Sequence, residues 1–276
     1  MKRLYLLVTL LLISSFSLFA QKKEKIKGSK FVTVSQVEVD KFDTLEILDD
    51  LEIFLILGDK PQIEIEADDN LHEILEKQLS GNKLILSTNK QASGAKKFVI
   101  RLTYTKNLKL IEVKNDAQLN ALQELQVDNI SIKNYDYSKS FLNVNTQTFT
   151  LILADKSRAE LNLKADQATL ELNRNANLKA LVTTSNLKAD LYSKATAVIE
   201  GDVNKGKIRM DGDSNFTGKN LTFVSLDVST ESFAKAAINV QDALTISAIG
   251  KSQLEIYGAP NYTIKKFADK ATLYKK

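Results

Sequence analysis

The feature that most constrains this chain is a repeat of nineteen residues. Stepping by nineteen from Val113 meets Ile132, Leu151, Leu170, Ala189 and Ile208, and stepping from Ile111 meets Ile130, Phe149, Ala168, Leu187 and Gly206. A third column runs Leu142, Leu161, Ala180, Ile199 and Gly218, and a fourth Ala121, Ser140, Ala159, Leu178, Ala197 and Phe216. Beyond about residue 216 the step shortens to eighteen, from Leu226 to Leu244 and from Ala236 to Leu254. A fixed short period means stacked coils, each burying its apolar face against its neighbours. Within a repeat two short segments alternate, such as Thr169-Leu170-Glu171-Leu172 and Asn177-Leu178-Lys179-Ala180, which sends one set of side chains inward. Links such as Asp211-Gly212-Asp213-Ser214-Asn215 supply tight turns. A leucine-rich repeat has a comparable length, but its Leu-x-x-Leu-x-Leu spacing and Asn or Cys ladder are missing, and neither half of the repeat has helical period. The expectation is a mainly β fold: a single-stranded parallel β-helix of about eight coils, with about 19 residues in each. Large and small residues offset one another along a column, as in Leu178, Ala197 and Phe216.

The rest of the chain divides around these coils. Residues 1–20 have the layout of a secretory signal peptide: Lys2 and Arg3, an apolar run from Leu4 to Ile13, and small residues up to a cut after Ala20. Thr9, Ser14, Ser15 and Ser17 interrupt the apolar stretch, so no stable transmembrane segment is expected after cleavage. No Cys follows it to carry a lipid. Residues 21–30 are basic and aperiodic and read as a flexible lead-in, and 31–276 as one β domain. Within that domain, 31–107 is a strand-and-one-helix portion packed on the solenoid's start, 108–257 holds the coils, and 258–276 is a C-terminal cap. Val32, Val34, Val37 and Val39 suggest an edge strand. Leu51–Leu57 and Gln62–Glu66 flank Gly58-Asp59-Lys60-Pro61 and read as a hairpin. Asn70 and Glu73 have capping-box spacing, and Leu71, Ile74, Leu75 and Leu79 form a helical stripe that ends at Ser80-Gly81.

Composition narrows the function. The mature chain has no cysteine, so an exported fold must be held by its own core. Removing Lys2 and Arg3 takes two charges from a formal net charge of +4, and the remaining lysines mostly interleave with acids. That leaves no concentrated basic face for nucleic acid. His72 is the single histidine, and no local nucleophile accompanies it. The usual zinc ligand sets cannot be assembled. Asp211, Asp213 and Asn215 match the first three ligands of a calcium loop, but Phe216 and Thr222 stand where that loop needs Gly and Glu, so the segment reads as a turn. No catalytic residue, metal ligand or cofactor site is assigned.

The leading enzyme alternative is a polysaccharide lyase or hydrolase, with Asp155, Glu160, Asp166 and Glu171 as candidate acids. Arg174, nineteen residues after Asp155, fits an ion pair between neighbouring coils. Exposed aromatics are the expected ligand contacts, with Tyr135, Tyr137, Tyr192, Phe223 and Tyr257 as candidates, and Tyr135 and Tyr137 alternate with Asp136 as if to share one face.

The order of elements carries a resemblance. An export signal is followed by Phe42-Asp43-Thr44-Leu45-Glu46-Ile47, strands about Gly58-Asp59, the segment Asn70–Leu79, Asn82-Lys83-Leu84-Ile85-Leu86, the repeats, and Leu254-Glu255-Ile256-Tyr257-Gly258-Ala259-Pro260. This layout resembles the putative auto-transporter adhesin, head GIN domain family. The resemblance covers nearly the whole mature chain and implies a β-helical, exported protein, with no catalytic residues to carry over. The expected function is therefore non-enzymatic binding or scaffolding in the bacterial cell envelope, in the periplasm or at the cell surface. A glycan, an envelope protein or another copy of the chain is the expected partner. A self-assembling structural role is the third alternative.

Overall fold

The computed structural model describes residues 23–276, so residues 1–20, expected to be a signal peptide, lie outside the described residues. The chain forms a β-solenoid of about nine turns with about 19 residues per coil. Its strands are β1 (Lys25–Lys27), β2 (Val32–Glu38), β3 (Thr44–Ile47), β4 (Glu52–Leu57), β5 (Gln62–Asp68), β6 (Leu75–Ser80), β7 (Lys83–Thr88), β8 (Gln91–Ser93), β9 (Phe98–Tyr104), β10 (Leu110–Val113), β11 (Gln118–Gln126) and β12 (Asn129–Asn134). Six long strands follow, β13 (Lys139–Leu153), β14 (Arg158–Leu172), β15 (Asn177–Leu191), β16 (Thr196–Met210), β17 (Asn215–Thr230) and β18 (Lys235–Ala248). The chain closes with β19 (Gln253–Gly258), β20 (Asn261–Phe267) and β21 (Thr272–Lys275).

Each long strand is a coil without its turn. In β14, burial alternates through both halves and breaks at the exposed pair Asp166-Gln167, where the strand bends from one wall of the solenoid to the other. The opposite corner is a four-residue turn, Ala154-Asp155-Lys156-Ser157 in this coil, whose second residue has φ of 62°. The same place holds Asp136, Arg174, Ser193, Gly212 and Ser232, all at positive φ. Asp, Asn and Gly tolerate this conformation best, which is why the linkers are rich in them. Side chains also bridge coils there: Asn115 N–H donates to Asp136 Oδ2 at 2.9 Å, and Asp136 N–H to Asp155 Oδ2 at 3.3 Å. The fourth place turns inward and holds only small residues, Ser138, Ser157, Ala176, Ala195, Ser214 and Ala234, all buried.

Through the regular coils the nineteen-residue columns are the observed register. Ile132, Leu151, Leu170, Ala189 and Ile208 stack in order, as do Ser140, Ala159, Leu178, Ala197 and Phe216. All are inward-facing, and Leu161 and Leu170 are buried. The first coil departs from the expectation. Ile111, not Val113, pairs with Ile132, and Ala121 pairs with Leu142 rather than Ser140, a step of twenty-one. A two-residue slip keeps every side chain on its own face, so the apolar pattern cannot reveal it. Later, a step of twenty from Gly206 to Leu226 precedes the step of eighteen to Leu244.

The N-terminal portion differs more. Parallel stacking already starts at β3 and β4, which pair with β10 and β11. β4 and β5 do not form the expected hairpin, because β9 lies between them, parallel to β4 and antiparallel to β5. The expected helix is one 3-10 turn, Asp69–Ile74, with no side-chain cap. Its second half is β6, antiparallel to β7 across the Gly81-Asn82 link. Leu71 and Ile74 plug the end of the core, whereas Leu79 is exposed, so the apolar residues served two elements rather than one stripe. Asn70 holds the lead-in instead of capping: its Oδ1 accepts from Ser29 N–H, and its Nδ2 donates to the Lys27 carbonyl. Residues 25–27 are accordingly a strand, β1, paired with β8, rather than part of a flexible lead-in. β2 is an edge strand, as its valines suggested.

Candidate functional site

The irregularity in β11 creates the most distinctive surface of the solenoid's side. Ala121 is level with Leu142 and Leu125 with Val144, so Leu122, Gln123 and Glu124 together oppose Asn143. Bulges of this kind re-aim side chains and recur beside binding sites. Here the bulge turns Leu122 outward, 64 % exposed. On the coils beyond, the outward columns run Phe141, Glu160, Lys179, Val198 and Asn143, Asn162, Leu181, Glu200. Together they line a shallow groove of about 500 Å³ with Leu122, Phe141, Leu181 and Val198 along it. Leu181 is 51 % exposed, an unusual cost for a solvated wall. Beside these residues, Asn162 Nδ2 donates to Asn143 Oδ1 at 3.0 Å, a short amide ladder between coils. The groove thus offers an apolar strip, an edge of amides, and Glu160, Glu200 and Lys179 as charged partners. Its volume falls in the range of ligand sites.

The tyrosines lie elsewhere, and Phe223, expected to be exposed, is fully buried in the core. Tyr135 and Tyr137 flank Asp136 in a corner turn rather than alternating along one strand face. Tyr135 is half-buried, with Lys114 over its ring at 5.9 Å. Burial, with Glu112 nearby, pushes its hydroxyl above the usual phenol range. Tyr137 is exposed, with Lys156 5.0 Å from its ring centre. Tyr192 opens a corner turn three coils on, separated from Tyr135's place by Ala154 and Asn173, and Arg209 lies 5.5 Å over it. The three therefore sit along the corner, each with its own cation, and form no single platform.

The candidate acids are also dispersed. Asp155 occupies a corner and pairs with Arg174 on the next coil, as their spacing suggested. Glu160 faces out from one wall, Glu171 from the other, and Asp166 stands at the bend between them. Of this set only Glu160 lines the groove, where its carboxylate neighbour is Glu200, two coils on. His72 does meet a hydroxyl the local sequence could not show: Ser35 Oγ is 2.7 Å from Nδ1, and Thr33 Oγ1 is 2.9 Å from Nε2. Both ring nitrogens are taken by hydroxyls, which tie the 3-10 turn to β2. In the Asp211–Asn215 turn, Asp211 accepts from Ser232 Oγ at 2.6 Å. That bond, with the Gly212 N–H, holds its carboxyl below the usual range. Among the described residues no group of three or more His, Cys, Asp or Glu side chains converges, and no helix is long and apolar enough to cross a membrane.

Nothing in composition marked the groove. Its signal was the extra two residues within Gln118–Gln126, visible only as a mismatch of period. Leu122 then stands as an apolar residue for which the columns have no place.

The model of the putative auto-transporter adhesin, head GIN domain family matches residues 41–260. No curated protein matches. Among solved structures, a putative adhesin from Parabacteroides merdae ATCC 43184 is similar, with 18 % identity, a TM-score of 0.67, and coverage of 92 % of this chain and 99 % of that one. A putative adhesin from Parabacteroides distasonis ATCC 8503 gives 16 % identity and a TM-score of 0.66, covering 92 % and 100 % of the respective chains. A putative lipid binding protein from the same organism gives 12 % identity and 0.61, with the same coverage. At these identities the likeness is one of fold.

Proposed function

The chain belongs to the putative auto-transporter adhesin, head GIN domain family, and from that premise we propose that it is an exported, non-enzymatic binding protein of the bacterial cell envelope that holds a saccharide in the Leu122 groove. The observation that carries this reading is the groove itself: an exposed apolar strip beside an amide ladder and three charged side chains. Sugars present an apolar face between rings of hydroxyls. Phe141 and Leu181 suit the face, and Asn143, Asn162, Glu160 and Lys179 suit the hydroxyls. Export rests on the signal-like residues 1–20. The adhesin names of similar structures agree with a binding role, and the lipid-binding name of one points to an alternative ligand.

A glycan array probed with the mature chain tests the proposal. Binding to one sugar class should be saturable, weakened about tenfold or more by Phe141→Ala or Asn162→Ala, and untouched by Tyr135→Ala with Tyr137→Ala. Binding lost with the tyrosines and kept in the groove variants would move the site to the corner turns. No glycan signal at all would remove the saccharide reading.

A further inference from the structure

The last coil of the solenoid is finished as though another strand were to follow. Among the described residues, β20 pairs only with β18 and β21 only with β19, so the far edge of each has no partner strand there. In every coil below, the corresponding N–H and C=O groups are bonded to the next coil. The inward places of β20 remain apolar: Tyr262 lies over Leu244, Ile264 over Ile246 and Phe267 over Ala248. Tyr262 is 47 % exposed and Ile264 53 %. With Leu273, Ile256 and Pro260, Tyr262 and Ile264 open a cavity of about 600 Å³ into the end of the core.

Lysine on an edge is a familiar guard against aggregation. Residues 261–276 carry five lysines against the single Asp269. A guard works best where the charge points inward and spoils the apolar face, yet only Lys275 takes an inward place, over Ile256. Lys266 and Lys270 stand outside it, exposed, with no ion-pair partner among the described residues. Such an edge repels a second copy of itself while leaving its apolar floor available. A lipid surface would suit the lysines and rings, but hydrocarbon cannot satisfy a row of free main-chain groups. A polypeptide strand satisfies the edge, the floor and the charge together.

We propose that the C-terminal end of the solenoid is a docking edge for an extended segment of a partner protein that alternates apolar and acidic residues and adds as the next strand beyond β20. Apolar side chains of that segment enter the cavity above Ile246, beside Lys275, and its carboxylates meet Lys266 and Lys270. The proposal is independent of the saccharide reading, since the groove lies on other coils.

The test is fluorescence anisotropy of the mature chain with a pool of eight-residue peptides alternating Val, Ile or Phe with Glu. Three comparisons accompany it: the same pool with Lys for Glu, the pool N-methylated at alternate residues, and phosphatidylglycerol vesicles. The acidic pool should bind saturably, and the N-methylated pool should not, because it cannot complete the edge. Lys266→Glu with Lys270→Glu should weaken binding about tenfold with an unchanged melt. Equal binding of acidic and basic pools, retained binding after N-methylation, no peptide binding, or binding to vesicles alone would each overturn the proposal.

Discussion

At the start of the solenoid the residues that close the core, Leu71 and Ile74, are 0 % and 3 % exposed; at its end Tyr262 and Ile264, which also sit over the core, are 47 % and 53 % exposed. The start is closed by elements that abandon the coil geometry. β5 and β6 run antiparallel to their neighbours, the 3-10 turn crosses the core's end, and β1 with β8 adds a separate pair. Asp68 fixes the crossing: its buried carboxylate accepts N–H groups from Lys30 at 2.9 Å, Lys96 at 3.0 Å and Lys97 at 3.0 Å. Gly28 packs so close that a Cβ there would stand 2.3 Å from Asp68 Oδ2. The end, by contrast, keeps parallel pairing to its last strands. A stack that adds only parallel strands cannot close itself, because each coil leaves the same unmet edge as the one before.

The largest effect that tests this contrast comes from one substitution made at both ends. Leu71→Asp removes a plugging side chain and buries a carboxylate, and should cost about 4 kcal/mol or more. Ile264→Asp should cost less than about 1 kcal/mol, since about half of the side chain is already in water. Denaturant melts of the two variants give the comparison directly, and equal losses would break it.

A smaller difference is expected for phenylalanines. Phe216→Ala, in a place between Ala197 and Ala236, should cost about 3–5 kcal/mol because small neighbours cannot fill the void. Phe267→Ala should be nearly neutral.

Acid should separate the ends further. Burial pushes Asp68 upward, but the N–H groups of Lys96, Lys30 and Lys97 outweigh it and hold the carboxyl below its ordinary 3.8. Glu46, half of a network with Lys83 at 2.6 Å and with Lys114, is likewise held below 4.5 against its burial by the two ammonium groups. With the folded values lowered, the unfolded chain binds more protons in this range. The stabilisation is therefore complete above the ordinary values and is lost as pH falls through the lowered ones. The melting temperature should decline below about pH 4, and Asp68→Asn should flatten part of that decline while lowering stability at pH 7. A melt independent of pH down to 2 would contradict both assignments. The smallest effect is at the corner: Tyr137→Ala should shift stability by less than about 0.5 kcal/mol.

What the sequence disclosed follows the same division. From Ile130 to Phe216 nearly every inward residue was legible, because a period of two within each strand and nineteen between coils leaves one register. The twenty-one-residue step at β11 was hidden because a shift by two keeps Ile111, Val113 and Ala121 inward, and all three are buried either way. The groove went unseen with it. In the N-terminal portion, Leu71, Ile74, Leu75 and Leu79 fit a helical stripe equally well as a 3-10 turn followed by a strand; the choice is made by β7, against which Leu79 lies beside Leu84. β9 separates β4 from β5, and no local turn signal at Gly58–Pro61 records a strand arriving forty residues later. The corner placement of Tyr135 and Tyr137 was not legible because the positive φ at Asp136 is not visible in its neighbours.

The most direct measurement is hydrogen exchange, followed strand by strand, on residues 21–276 in monomeric form. Amides of β5, β9 and the Asp69–Ile74 turn should exchange only with global unfolding, and half of those in β20 and β21 should exchange within seconds, because they face no partner. Protection in β20 equal to that in β9 would mean that the C-terminal end is closed, and would contradict the account.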